Sequence, residues 1–330
     1  MSSEFQELGG PRPVTGFGLG LAAVGRPGYI NLGRGEDLPR ERSVEAMQAR
    51  AHELLDAAYE HGVRYFDAAR SYGKAEEFLA CWLRAHPDAD DVVIGSKWGY
   101  TYVADWQVSA QVHEVKEHSV GAYDRQLAET RSVLGARLSL YQIHSVTPDS
   151  PALTDSVLHE RLAALAADGV TIGLSTSGPG QAEAIRAALE VTVGGARLFG
   201  SVQATYNLLE PSAGSALAEA HAAGWTVIVK EALANGRLAR RDALDQGPGI
   251  SMLRKVAKET GASYDAVALA AVAAQPWADI VLSGAATVEQ LTSNLAAADV
   301  RLTADQLEQL AALSVAAGDY WADRSRLAWT

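Results

Sequence analysis

Cysteine is almost absent from this sequence, because Cys81 is the only one in 330 residues. A single thiol excludes an intrachain disulfide and a metal centre built from cysteines, and it is typical of a protein in a reducing compartment. Cys81 lies in a helical pattern beside Trp82, so we expect it to pack there rather than react. We predict no metal site.

Long apolar runs and positive charge are scarce as well. No stretch approaches the ~20 apolar residues that a membrane-spanning helix needs. The first residues, MSSEFQELGGPRPV, lack the basic and apolar segments of a secretion signal. The net charge of −12 disfavours a nucleic-acid partner, since such binding depends on basic side chains that displace counterions. These absences predict a soluble, cytoplasmic protein with a small-molecule partner and no membrane.

Eight short apolar runs recur along the chain, each followed by a longer segment with helical spacing. This alternation is typical of βα units, and eight units favour a closed (β/α)8 TIM barrel of the α/β class over an open, doubly wound sheet. With no linker or short repeat in the chain, we predict one domain over residues 1–330. The predicted strands are 17–24, 63–67, 91–97, 138–144, 170–175, 199–204, 225–230 and 279–284.

Amphipathic segments between the runs predict the helices, including one extra helix towards the C-terminus. Thr303 and Gln306 fit a capping box. Simpler N-caps are expected at Ser119, Thr154 and Ser212. The predicted helices are 44–61, 74–85, 120–135, 154–168, 180–190, 212–223, 251–275 and 288–298, with 303–316 as the extra one.

Four stretches interrupt the alternation: 25–43, 98–118, 231–250 and the tail 317–330. The first three are long loops after strands 1, 3 and 7, so in a barrel they project from the carboxyl face, where loops usually bind or cover a ligand. Aromatic residues in 98–118 and in the tail fit an aromatic-lined pocket, which surface packing explains about as well.

Four polar side chains lie at or just after the ends of the second, third and fourth predicted strands. Asp67 closes VRYFD and Tyr72 follows it. Lys97 closes DVVIGSK, and His144 closes LSLYQIH. Because the carboxyl ends of barrel strands converge on one face, we expect these side chains to form one site.

The sequence around these four residues resembles the aldo-keto reductase family. FDAARSYGKAEEFLA resembles the family signature around its aspartate and tyrosine, IGSKWG its lysine segment and LYQIHSV its histidine segment. The resemblance continues through VTIGLSTSG, VQATYNLLE and LSGAATVEQLTSNL, so it covers nearly the whole chain. It implies an NAD(P)H-dependent oxidoreductase that reduces an aldehyde or ketone to an alcohol.

Carbonyl reduction assigns a role to each of the four residues. It needs a hydride donor, which no side chain provides, and a proton donor, for which Tyr72 is the expected general acid. A cation ~4 Å away lowers the pKa of a tyrosine by roughly three units, so we predict that Lys97 lowers the pKa of Tyr72. Asp67 would keep Lys97 protonated, and His144 would hydrogen-bond the substrate oxygen.

The resemblance also implies a nicotinamide-nucleotide site on the later strands. Ser175, Thr176 and Gln203 are expected to bind the nicotinamide carboxamide. Lys230 stands where the family often has a tyrosine that stacks on the nicotinamide, and it could instead form an ion pair with Glu231 at the rim. The residues that resemble the pyrophosphate loop are Leu233, Asn235, Gly236 and Arg237.

The adenosine-phosphate site is expected at the last strand and the helix that follows it. No Lys or Arg occupies the candidate positions for gripping a 2'-phosphate, although Arg237, Arg240 or Arg241 could supply the charge. NADP(H) is the expected cofactor, with NAD(H) as the alternative. The expected binding residues are Ser283, Gly284, Ala285, Thr287, Gln290 and Asn294.

Four competing interpretations of the sequence come from different classes of protein. The GLGLAA segment at 18–23 matches a dinucleotide-binding fingerprint, but no helix pattern opens directly after it. GLSTS at 173–177 lacks the final glycine of a hydrolase nucleophile elbow. A Schiff-base lyase could use Lys97 or Lys230 as its nucleophile, and a regulatory subunit could bind the nucleotide without catalysis. The substrate, the reaction direction and the oligomeric state are left open.

Overall fold

A closed barrel of eight parallel strands forms the centre of the molecule. The computed structural model describes residues 16–29, 35–239 and 248–328. The described strands are β1 (Phe17–Gly20), β2 (Tyr65–Asp67), β3 (Val93–Trp98), β4 (Tyr100–Tyr102), β5 (Glu114–Lys116), β6 (Leu138–Val146), β7 (Thr171–Thr176), β8 (Thr192–Val193), β9 (Ala196–Arg197), β10 (Ser201–Thr205), β11 (Thr226–Lys230) and β12 (Ile280–Ser283). Around the barrel the strands run in the order β1, β12, β11, β10, β7, β6, β3, β2.

Helices follow the barrel strands and cover their outer faces, which confirms the (β/α)8 prediction and excludes a doubly wound sheet. Within the described ranges, no helix is long and apolar enough to cross a membrane. The described helices are α1 (Val44–Glu60), α2 (Ala75–Ala85), α3 (Val120–Leu134), α4 (Ser156–Ala167), α5 (Gln181–Leu189), α6 (Gly214–Ala222), α7 (Pro248–Thr260), α8 (Tyr264–Ala273), α9 (Val288–Leu295), α10 (Ala304–Ala311) and α11 (Ala317–Ser325).

Three predicted segments differ from the structure. The helix predicted over 251–275 is two helices, because the chain turns at Gly261 with φ +68° and Ser263 then caps α8 by accepting a hydrogen bond from Ala266 N. The tail expected to be irregular contains α11, and the loop 98–118 contains an antiparallel hairpin of β4 and β5.

The predicted helix caps divide into two groups. Ser119 caps α3, and Thr303 forms the predicted capping box at α10. The remaining two are wrong. Asp155, not Thr154, caps α4 by accepting from two backbone N–H groups, and the Ser212 hydroxyl donates to Glu210 instead of capping α6.

The inside of the barrel has an apolar floor. Its members are Tyr65, Val93, Leu140, Ile228, Ile280 and Leu282. Because strand side chains alternate between the two faces, residues two positions further towards the carboxyl end also point inwards. Asp67 therefore lies one layer above Tyr65, and Lys230 one layer above Ile228. This layer is where the candidate site forms.

Candidate active site

A buried ion pair lies at the base of the barrel mouth. Lys97 Nζ donates to Asp67 Oδ2 and, at 3.0 Å, to the Ala68 carbonyl oxygen. The other carboxylate oxygen, Oδ1, accepts from the Tyr65 hydroxyl at 3.2 Å and from Gln203 Nε2 at 2.9 Å. Gln203 lies on β10, across the barrel from β2. Both charges are thus paired and hydrogen-bonded, as buried charges must be to be tolerated.

Tyr72 lies over this pair at the mouth of the barrel. Lys97 Nζ is 4.8 Å from the centre of the Tyr72 ring. The His144 ring packs edge-on against Tyr72, with 5.5 Å between ring centres, and the Arg26 guanidinium is 5.6 Å from the Tyr72 ring centre on another side. The structure therefore brings together the four side chains predicted to be catalytic, and adds Arg26.

A bulge in β6 sets the position of His144. The pairing of β6 with β7 shifts register between Ile143 and Val146, and Ser145 takes a left-handed conformation with φ 59°. The Ser145 N–H donates to Ser175 Oγ at 2.8 Å, which holds the bulge in place. Bulges of this kind change the direction of a side chain beside a site, here that of His144.

A second histidine holds the backbone of the first. His118 is buried, and its Nε2 lies 2.9 Å from the His144 carbonyl oxygen, which can only accept, so Nε2 is the donor. Its Nδ1 lies 2.7 Å from Ser150 Oγ and accepts from that hydroxyl when the ring is neutral. Burial lowers the pKa of His118 to about 4, so the neutral ring is the form present at neutral pH.

Protonation of His118 should limit acid stability. Its pKa is about 4 in the folded protein and 6.5 ordinarily, so the unfolded chain binds more protons between these values. The stability contributed by the neutral ring is complete above pH 6.5 and falls as the pH drops towards 4. Between pH 6.5 and 4 the free energy of unfolding of His118→Gln should fall by about 3 kcal/mol less than that of the unmodified protein. Urea unfolding at several pH values in this range would measure the difference. If the free energy of unfolding depended on pH equally in both proteins, the role of His118 in acid stability would be contradicted.

His144 is also neutral. Burial lowers its pKa well below the usual value, and the nearby charges of Lys97, Lys230 and Arg26 add to the effect. Its Nδ1 lies 3.4 Å from Ser71 Oγ. A neutral imidazole donates a hydrogen bond without carrying charge, which suits a group that contacts a carbonyl oxygen.

The predicted direction of the Tyr72 pKa shift is wrong. Burial raises the pKa of Tyr72 well above its usual value, and the charge of Asp67 raises it further, while Arg26 opposes this. The prediction considered the Lys97 ammonium alone. In the structure Asp67 neutralises Lys97, and the buried setting favours the uncharged phenol.

Two of the residues predicted to bind the carboxamide face the mouth, and one does not. Ser175 and Gln203 are register partners on β7 and β10, with Gln203 reaching into the barrel. Thr176 follows Ser175 and points to the outer face, where its hydroxyl lies 3.4 Å from Gln181 Oε1. Gln181 in turn donates to the Thr205 carbonyl at 2.8 Å. Thr176 therefore links the ends of two strands. It lies apart from the tetrad, the four residues Asp67, Tyr72, Lys97 and His144.

Lys230 and Glu231 do not form the ion pair that their adjacency allowed. Glu231 instead pairs with Arg324 on α11, whose Nε lies 3.0 and 2.9 Å from its two carboxylate oxygens. Lys230 Nζ donates to Thr205 Oγ1 at 2.8 Å. Glu231 has φ 54°, and Asn207 Nδ2 holds its carbonyl oxygen at 2.9 Å. Fixed partners on both sides keep this strained residue in place.

The loop after β11 offers donors suited to an anion. Leu233 and Gly236 lie in a short turn in which Asn235 has φ 56°. The Arg237 guanidinium lies 4.2 Å from the Tyr320 ring centre, and its buried Nη2 has no hydrogen-bond partner among the described residues. A buried guanidinium nitrogen of this kind fits a diphosphate oxygen. Arg240 and Arg241 lie outside the described residues.

The end of β12 is a self-contained cluster of polar residues. The Asn294 amide and Ser283 Oγ are 2.8 Å apart, and both side chains are buried. Thr287 caps α9, and Gln290 Oε1 accepts from the Ala286 N–H at 2.9 Å. Gln290 therefore serves the local fold. Ala285 is buried, whereas open space surrounds the Cα of Gly284, so a ligand can approach the backbone there.

An arginine that the sequence did not suggest lies beside this cluster. Arg50 on α1 donates through Nη1 to the Ala286 carbonyl at 3.0 Å and to the Asp37 carbonyl at 2.9 Å. Its Nε pairs with Glu53 at 3.1 Å. The segment predicted to bind the adenosine phosphate thus has a cation nearby, supplied by a different part of the chain.

The molecule is a parallel barrel with a buried Asp–Lys pair beneath a tyrosine and a neutral histidine at its mouth. Such an arrangement can transfer a proton to a bound small molecule. A family model described as the aldo/keto reductase family matches residues 30–315. The chain belongs to this family, whose members are oxidoreductases that generally bind nicotinamide cofactors.

Individual relatives agree with this membership. Aldo-keto reductase str7 of Strobilurus tenacellus is 25% identical over 317 residues, which cover 88% of this chain and 86% of that protein. Uncharacterized oxidoreductases of Mycobacterium bovis and Mycobacterium tuberculosis are each 28% identical, over 88% of this chain and 91% of theirs. The holo form of aldo-keto reductase AKR11C1 from Bacillus halodurans has the same fold, with a TM-score of 0.68, 20% identity and coverage of 91% and 92%.

Proposed function

We propose that this protein reduces an aldehyde or ketone to an alcohol with NAD(P)H, and that NADP(H) is the preferred cofactor. The observation that carries the proposal is the Asp67–Lys97 pair buried beneath Tyr72 and beside a neutral His144. The bound cofactor would supply a hydride to the carbonyl carbon. The protein would supply the proton that the carbonyl oxygen takes up as its double bond is lost.

Each side chain of the tetrad has one task in this proposal. His144 donates a hydrogen bond to the carbonyl oxygen and orients it. Tyr72 gives its proton to the developing alkoxide, which is a stronger base than a phenolate, so a phenol with a raised pKa can still transfer it. Lys97 stabilises the phenolate as it forms, and Asp67 keeps Lys97 charged and in place.

The residues proposed to hold the cofactor supply neutral donors at one end and a cationic loop at the other. Ser175 and Gln203 would hold the carboxamide, and Arg237 the diphosphate. The Gly284 backbone would contact the adenosine phosphate, and Arg50 is the nearby cation that favours NADP(H) over NAD(H). The proposal includes a cytoplasmic location and a small carbonyl compound or alcohol as the partner.

A paired titration tests the proposal. We expect NADPH to quench the fluorescence of the seven tryptophans at lower concentration than NADH does. We also expect small aldehydes to cause loss of NADPH absorbance. Binding without turnover across a broad panel of carbonyl compounds would support a regulatory subunit instead. Borohydride inactivation in the presence of substrate would support a Schiff-base lyase acting through Lys97 or Lys230.

A further inference from the structure

Lys230 points into the barrel mouth, in the layer directly above the apolar floor. Two residues before it, Ile228 is part of that floor, and alternation along β11 places Lys230 on the same inner face. Thr205 is its register partner on β10, and their side chains touch at 2.8 Å. Gln203, two residues before Thr205, reaches Asp67 across the barrel at 2.9 Å. Lys230 therefore borders the space above the catalytic tetrad.

The Lys230 ammonium contacts a neutral group, whereas three other cations at the mouth contact carboxylates. Lys97 is paired with Asp67, Arg26 with Glu114 at 2.5 Å, and Arg324 with Glu231. The one hydrogen bond of Lys230 among the described residues goes to a neutral hydroxyl, Thr205 Oγ1. That hydroxyl donates in turn to Glu231 Oε2 at 3.3 Å, so a hydroxyl separates the ammonium from a carboxylate that is already paired with Arg324. The mouth carries this charge where a ligand would lie.

The position of Lys230 is fixed by the residues that follow it. Glu231 is held in a left-handed conformation by its bidentate contact with Arg324 and by Asn207, which bonds its carbonyl. Asn207 also donates to the Tyr320 hydroxyl at 3.0 Å. Because the backbone at Lys230 is constrained, its charge does not have to move into place when a ligand binds.

We infer that Lys230 makes the cofactor site prefer the reduced nicotinamide over the oxidised one, and so shifts the enzyme-bound equilibrium towards alcohol oxidation. The inference rests on the proposed function. An oxidised nicotinamide ring carries a positive charge and a reduced ring does not, so a fixed cation beside the ring repels only the oxidised form.

The preference for the reduced nicotinamide affects the reaction because the ring changes its charge. In the oxidation direction the alcohol C–H bond breaks, its hydride joins the ring, and the hydroxyl proton passes to the phenolate form of Tyr72. The positive charge of the ring is lost in that step. Lys230 therefore shifts the equilibrium between the enzyme-bound reactants and products towards the reduced nicotinamide and the carbonyl compound, by about tenfold or roughly 30 mV for a two-electron couple. The equilibrium in solution is unaffected.

The charge of Lys230 should depend on pH. Burial lowers its pKa to about 8, an effect that Glu231 opposes and that Arg324 and Lys97 increase. The ammonium is thus present below about pH 8 and lost above it. The charged and titratable groups that face Lys230 are Asp67 on β2, Lys97 on β3, His144 on β6, Glu231 after β11 and Arg324 on α11.

The test is the ratio of two dissociation constants, for NADP⁺ and for NADPH, measured by tryptophan fluorescence without any substrate. We expect Lys230→Met to lower the ratio of the NADP⁺ constant to the NADPH constant by about tenfold, because the charge is removed and the length is kept. Lys230→Arg should keep the ratio of the unmodified protein. Lys255→Met, which removes an exposed ammonium on α7, is the matched control and should leave the ratio unchanged.

A second measurement uses the unmodified chain and so does not depend on how the variants fold. Its ratio should fall as the pH rises through about 8, while that of Lys230→Met should stay level. An unchanged ratio in Lys230→Met, with both nucleotides bound, would overturn the inference and leave the proposed function standing. A ratio that stays level across pH in the unmodified protein would overturn it as well. Failure of the unmodified protein to bind either nucleotide would overturn the proposed function itself.

Discussion

Replacing Tyr72 with phenylalanine should lower the turnover of carbonyl reduction by about a hundred- to ten-thousandfold, the usual contribution of a general acid. The substitution removes only the hydroxyl. The ring keeps its contacts with Lys97, His144 and Arg26, so the dissociation constant for NADPH should change little. Steady-state kinetics together with a fluorescence titration would measure both quantities on one preparation.

A second tyrosine provides the control for this experiment. Tyr141 is also buried, and its hydroxyl lies 3.4 Å from Thr130 Oγ1, away from the mouth. Tyr141→Phe should leave turnover near that of the unmodified protein. If Tyr72→Phe turned over equally fast, the proton would have to come from another group, and the assignment of Tyr72 would fail.

Lys97→Met should be as severe for turnover and should also destabilise the fold. Without Lys97, the Asp67 carboxylate is left buried with only the neutral donors Tyr65 and Gln203. Removing one partner of a buried ion pair costs about 3–5 kcal/mol. We expect a loss of that size in the free energy of unfolding, measured by urea denaturation, and a turnover loss of about a hundredfold or more.

A double variant separates these two effects of Lys97. In Lys97→Met with Asp67→Asn the site holds no unpaired charge, so much of the lost stability should return. Turnover should not return, because no cation stabilises the Tyr72 phenolate as it forms. Recovery of turnover in the double variant would show that Lys97 acts only through the stability of the barrel.

The sequence predicted the barrel and the meeting of the tetrad for a simple reason. In a parallel barrel, the carboxyl ends of all strands converge on one face, so a residue at the end of a strand is placed by the fold itself. Asp67, Lys97 and His144 are each part of a barrel strand near its carboxyl end, and Tyr72 follows β2 closely. The same alternation would have found Tyr65, which lies two residues before Asp67 on the inner face of β2.

Electrostatic predictions from one pair of residues were less successful. The pKa of Tyr72 depends on burial and on Asp67 more than on the single ammonium that the sequence suggested. Glu231 could have paired with its neighbour Lys230, but its carboxylate is held by Arg324, and the Thr205 hydroxyl lies between that carboxylate and the Lys230 ammonium. These errors share a cause, because the sum of several buried charges cannot be read from adjacent positions.

Arg26, Arg50 and Arg324 were missed because their partners are distant in sequence. Arg26 donates to the Ser71 carbonyl 45 residues away, and Arg50 to a carbonyl 236 residues away. Each lies in a segment whose position depends on the packing of loops or helices around the finished barrel. No spacing rule links such residues, so only the folded structure brings them to the site.

The pairing of Glu231 with Arg324 has a consequence for the order in which the protein matures. The two residues are 93 positions apart, so a ribosome adding about 5–20 residues per second delivers Arg324 roughly 5–20 seconds after Glu231. During that interval Glu231 can be held by Asn207 but lacks its ion pair with Arg324. We therefore expect a nascent chain stalled before α11 to form barrel strands yet lack a finished nucleotide site, so that competence to bind is acquired late in synthesis.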